Sequence, residues 1–167
     1  HPETDKTPVA VGVEMGLRAA TQETKQGYVY TVSHDDDATL WSFNTKTEKA
    51  EKLGSAVVAK ASYITSLDVD PTGRYLYYVP GAHGGAVKDG TPIVQLDLKT
   101  HQKKVLAFLH SHIWEKYGYA LDGSFGNALD ETGERLCISW DGWRKGQPRG
   151  WETTTITVVH IPKSERE

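Results

Sequence analysis

The sequence has one cysteine, Cys137, among its 167 residues. That excludes an internal disulfide framework, a paired-cysteine zinc site and a c-type haem attachment. Cys137 itself reads as a small apolar residue on a strand. No run reaches the roughly 18 apolar residues of a membrane-spanning helix, so no membrane span is expected. The formal charge is −3 and neither sign collects into a stripe, which argues against nucleic acid as a partner. Short catalytic signatures are missing too. There is no GxSxG, HExxH or GxGxxG, and the glycines before Lys88 lack phosphate-loop spacing. The chain starts HPETDKTP, without Met or a signal-type apolar region, and is expected to be a processed product, a fragment or part of a longer polypeptide. Few cysteines suit the cytosol and also many exported bacterial proteins; periplasmic or extracellular placement is slightly preferred over cytoplasmic.

Helical periodicity is also scarce, and the one candidate, near residues 111–116, is short. What fills the chain is a repeat. DPTGRYLYYV (70–79) returns as DETGERLCIS (130–139), and IVQLDLKT (93–100) has a counterpart in LWSFNTKT (40–47) and a looser one in ITVVHIPK (156–163). Three units of short strands follow. The first holds strands near 16–22, 27–33, 38–44 and 49–53. The second holds 63–70, 74–80, 92–98 and 103–109, and the third 124–130, 134–140 and 154–161. Turn residues ending in glycine punctuate them.

Three- to four-stranded units at this spacing are the signature of propeller blades. The frame Asp-x-x-Gly-Arg-x-Leu-Tyr-x-Val followed by Ile-x-x-Leu-Asp-x-Lys-Thr resembles the blades of bacterial β-propellers of the TolB/YVTN/WD40-like kind, over roughly residues 16–162. The resemblance implies an all-β chain of about three antiparallel four-stranded blades, the last incomplete, within a larger ring. Residues 1–15 are assigned to an N-terminal extension or closing strand (TPVAVGV, 7–13), 16–62 to blade 1, 63–123 to blade 2 with its long connection, and 124–167 to blade 3 and the tail. Three blades are too few to close a ring. The expected partner is therefore a second chain, or a second copy, that completes the propeller.

Antiparallel alternation sends the long loops to one face and the short polar turns to the other. Function is expected on the long-loop face. His110 and His112, read as extended backbone, would point the same way, and with His83 they form a candidate three-nitrogen site for a divalent metal ion, the one cofactor considered; His34 is a remoter fourth ligand. Asp35, Asp36 and Asp37 fail the EF-hand pattern and read as a solvated loop. Trp114, Trp143, Arg144, Arg149 and Trp151 are the candidate partner-binding residues, suited to an acidic glycan or to a protein. Tyr75, Tyr77 and Tyr78 are assigned to packing between blades. The leading reading is a binding scaffold for a protein or glycan. The alternatives are a metal-assisted polysaccharide lyase or hydrolase, with Arg144 or Arg149 on the substrate carboxylate, and purely structural blades whose site lies on another chain.

Overall fold

In a computed structural model, residues 16–150 and 153–167 are described. The expected strand at 7–13 and Trp151 lie outside them. Among the described residues eleven strands form three antiparallel sheets. Sheet 1 runs β1 (Leu17–Ala20), β2 (Tyr28–Ser33), β3 (Thr39–Asn44) and β4 (Lys49–Ser55) in order. Sheet 2 repeats this with β5 (Leu67–Val69), β6 (Tyr75–Tyr78), β7 (Pro92–Asp97) and β8 (Lys103–Phe108). Sheet 3 has three strands, β9 (Tyr119–Leu129), β10 (Arg135–Arg144) and β11 (Thr153–His160). The all-β reading, with a short last blade, is what the chain adopts.

Local side-chain chemistry explains the repeat. In DPTG, Asp70 Oδ1 accepts the backbone N–H groups of Arg74 and Tyr75, both at 2.7 Å, while Oδ2 accepts that of Thr72. Asp130 does the same for Glu134 at 2.9 Å and Arg135 at 3.2 Å. The fourth residue of each turn, Gly73 or Gly133, sits at φ +78° or +71°, where a Cβ is strained. In the Asn/Asp-x-Lys-Thr turns, Asn44 Oδ1 accepts from Lys46 and Thr47, and Asp97 Oδ1 accepts from Lys99 and Thr100. Each motif is a self-contained hairpin closure.

Period-two alternation then supplies two faces per sheet. Strand pairing sets Tyr28 opposite Asn44 and Tyr75 opposite Asp97, so Tyr28-x-Tyr30-x-Val32 corresponds to Tyr75-x-Tyr77-x-Val79. Tyr30 and Val32 of sheet 1 pack on Leu76, Tyr78, Val94 and Leu96 of sheet 2. Tyr75, Tyr77, Val79 and Ile93 of sheet 2 pack on Leu136, Ile138 and Trp140 of sheet 3. The three tyrosines of RYLYYV are thus the inter-sheet packing expected of them. Two of them have partnered hydroxyls: Tyr78 Oη donates to the Ala56 carbonyl at 2.9 Å and Gln95 Nε2 donates to Tyr77 Oη at 2.8 Å. Burial pushes the Tyr77 phenol up to about 12.

Three expectations need correction. The segment after β8 is an α-helix, α1 (Leu109–Tyr117), and not extended backbone. Leu109 and Ile113, one turn apart, pack on the second core, and Gly118 at φ +62° stops the helix. The first strand of sheet 3 begins at Tyr119, five residues before the expected start: β9, β10 and β11 stay paired as far as Leu121, Gly142 and Thr153, and β9 and β10 run on together to the Tyr119–Arg144 pair. Cys137 lies on β10 as expected, but exposed.

Candidate functional site

The β2–β3, β6–β7 and β10–β11 loops and the β4–β5 and β8–β9 connections share one end of the molecule. A row of four rings crosses this end. His34 lies 4.2 Å from Tyr63, Tyr63 is stacked on His83 at 5.1 Å, and His83 meets Phe125 edge-on at 5.1 Å. Each ring comes from a different segment: the β2–β3 loop, the β4–β5 connection, the β6–β7 loop and β9. The row therefore spans all three sheets. Its chemistry is apolar with a cationic edge, since the Arg18 guanidinium lies 5.6 Å from the centre of the Tyr63 ring. Phe125 is 43% exposed and His83 is exposed, so the row is a surface.

Beside it stands a pair of buried carboxylates. β9 carries two irregularities against β10: Ser139 pairs with Gly126 and Trp140 with Ser124, then Asp141 with Gly123 and Gly142 with Leu121. The residues skipped are Phe125 and Asp122. A bulge re-aims the extra side chain, and here one bulge presents Phe125 to the ring row while the other turns Asp122 inward. Asp122 is fully buried and takes a fork from Arg149, with Nε and Nη2 each 3.0 Å from a carboxylate oxygen. Arg149 Nη2 also donates to the Gly84 carbonyl at 2.7 Å, and the guanidinium lies over the Trp143 ring at 5.2 Å. This clamp ties the β10–β11 loop to the His83 loop.

Asp141 has no such fork. It is 8% exposed, and its Oδ1 is buried without a hydrogen-bond partner. Burial pushes its carboxyl above the usual carboxylate value; backbone hydrogen bonding opposes this, neighbouring Asp122 adds to it, and His83 partly offsets it. A Cβ on Gly123 would come within 2.9 Å of the His83 amide nitrogen and 3.0 Å of Asp141 Oδ1. The glycine thus keeps the His83 loop, Gly123 and Asp141 in close approach. Asp141 and Phe125 also line one groove of about 570 Å³ with Ser139, Thr154 and Ile156.

The expected metal trio does not assemble this way. A helix turns once in about 3.6 residues, so His110 and His112 on α1 point to nearly opposite sides. His110 pairs with Trp114 at 6.1 Å and His112 with Tyr117 at 6.5 Å, while His83 and His34 belong to the ring row. Among the described residues no group of three or more His, Cys, Asp or Glu is placed to hold a metal ion. Of the expected binding residues, Trp143 and Arg149 meet in the clamp, with the guanidinium fork engaged by Asp122. Arg144 lines a second groove, of about 660 Å³, beside His112 and Tyr117. Trp114 sits on α1 away from these. Arg18, Tyr63, Asp122, Phe125 and Asp141 were not singled out from sequence. The one local signal was the Asp-Gly step, present at 122–123 and 141–142 but also at 89–90.

Comparison with known proteins gives the fold. A chain of the nidogen/laminin complex superposes with a TM-score of 0.58 and 12% identity, over 86% of this chain and 44% of that one. Hydrazine synthase of Kuenenia stuttgartiensis superposes with a TM-score of 0.62 and 11% identity, over 95% of this chain and 38% of that one. These neighbours are β-propellers, and the three sheets here are propeller blades. This chain spans less than half the length of either neighbour. No family model and no curated protein matches the sequence.

Proposed function

We propose that these blades, TolB/YVTN/WD40-like in their repeat, form a binding scaffold whose loop-rich face takes a protein partner. The observation that carries this reading is the row His34–Tyr63–His83–Phe125, half-buried at its first two rings and exposed at the last two, which crosses three blades on that face. Aromatic side chains lose little conformational entropy on binding and dominate the energetics of protein contacts. Arg18 beside Tyr63 and the Arg149–Trp143 clamp at the row's flank add two guanidinium groups to the rim. A neighbouring propeller, that of the nidogen/laminin complex, was solved with a protein partner, which supports a protein over a small ligand.

The test uses peptides selected from a random displayed library against the folded chain. Tyr63→Ala combined with His83→Ala is expected to weaken the selected binders about tenfold or more, the loss typical of truncated aromatic anchors. Variant melting curves must match the parent within a few degrees. Peptides that bind parent and variant equally would defeat the reading.

A further inference from the structure

We infer that the rim of the third blade, between Asp141, Phe125 and Thr154, is a receptor for a single organic cation, the ammonium or guanidinium end of a lysine or arginine side chain on the partner. This rests on the scaffold reading above and names the chemistry of one contact within it.

The argument begins with an unmet need. A buried carboxylate oxygen without a partner is costly, and native structures rarely keep one. Asp141 Oδ1 is in that position, in a residue that is 8% exposed. The guanidinium beside the pair does not meet it: Arg149 gives its hydrogen bonds to Asp122 and to the Gly84 carbonyl. Two carboxylates thus stand beside one fork, and the charge left over is that of Asp141. Arg144 lies three residues further along β10, beyond Gly142, and the His83 imidazole offsets only part of what burial does to the Asp141 carboxyl.

The surroundings say which cation fits. A divalent metal wants several hard oxygen or nitrogen donors, and among the described residues no group of three is placed for one. What borders the Asp141 groove is instead aromatic, hydroxylic and aliphatic: Phe125, Ser139, Thr154 and Ile156. His83 and Tyr63 continue the ring surface beyond Phe125. A carboxylate at the end of an aromatic-edged groove matches a cation with an alkyl stem. The stem covers Phe125 and Ile156, while the head meets Asp141 where it lines the groove, and a ring face. Peptide partners carry such groups on lysine and arginine.

The experiment is a heteronuclear NMR titration of the 167-residue chain with N-acetyl-arginine amide and, separately, with the neutral isostere N-acetyl-citrulline amide. Millimolar affinity for the arginine probe is expected, with shifts at Gly123, Phe125 and Thr154, and at least tenfold weaker binding of citrulline. Asp141→Asn should abolish that preference while the spectrum elsewhere stays native. If that variant does not fold, the arginine–citrulline comparison on the parent still decides. Equal binding of the two probes, no binding of either, or shifts confined to the Arg144 groove overturns the inference. A calcium titration that moves Gly123 and blocks the arginine probe overturns it in favour of a metal site. Selected peptides that need Tyr63 and His83 but not Asp141 would leave the scaffold reading intact and reject this one.

Discussion

At the scale of single residues, Asp141 makes the strongest quantitative demand. Its carboxyl is raised from the ordinary value of 3.8 by burial and by Asp122. Below about pH 3.8 both folded and unfolded states are protonated, and the residue costs the fold nothing. As pH rises through the higher folded-state value, the unfolded chain has already released its proton and the fold must hold a buried charge, so stability is lost. Asp141→Asn removes that charge without changing the shape. The variant is therefore expected to melt at the same temperature as the parent near pH 3 and a few degrees higher near pH 7. Thermal unfolding at the two pH values checks it, and a variant less stable than the parent at pH 7 contradicts it. The expected trade, stability gained and cation binding lost, separates a functional carboxylate from a structural one.

At the scale of elements, the turns hold the blades together. Asp70 accepts three backbone N–H groups with its two oxygens and is 6% exposed. Asp70→Ala leaves these donors without side-chain partners at the start of β6, a loss of about 2–3 kcal/mol. Chemical denaturation should show it as a lower midpoint with an unchanged slope. Asp70→Asn, which keeps one acceptor oxygen, should recover part of the loss. The same chemistry explains why the blades were readable. DxTG and Asn/Asp-x-Lys-Thr close hairpins with bonds spanning at most five residues, so a local motif reports a local structure. α1 was not readable in the same way. Its nine residues give only Leu109 and Ile113 as an apolar face, too few to establish a period, and the HSH within it reads equally well as a strand. The site was least readable. His34, Tyr63, His83 and Phe125 are single aromatics up to 91 positions apart, joined only by packing of three blades. The bulges that select Phe125 and Asp122 depend on pairing across β9 and β10. His34 and His83 were picked out from sequence, but for metal ligation and not for ring stacking.

At the scale of the whole molecule, the faces of the blades are unequal. Sheets 1 and 2 each turn a Tyr-x-Tyr-x-Val face onto the next sheet. The corresponding face of sheet 3 carries Arg135, Cys137 and Ser139 on β10 and Ile156 and Val158 on β11, by the same pairing that sets Cys137 opposite Val158 and Ser139 opposite Ile156. Ile156 is 71% exposed and Val158 60%, far above what a lone surface aliphatic needs to be unremarkable, because they adjoin each other on an open sheet face. β11 also has no strand on its outer side among the described residues, and an open edge invites pairing. Small residues on β10 and two aliphatics on β11 make a shallow surface that suits another sheet, as sheets 1 and 2 already receive one. The cation receptor inferred above lies at the upper rim of this face and shares Ile156 with it, while Val158 lies below. The 18.5 kDa chain is accordingly expected to self-associate in isolation, with a light-scattering mass that rises with concentration. Ile156→Lys with Val158→Lys places two like charges on that face and should return the mass to that of one chain, at little cost in melting temperature because neither side chain belongs to the two cores. Parent and variant that scatter alike would show that the third blade's outer face takes no part in assembly.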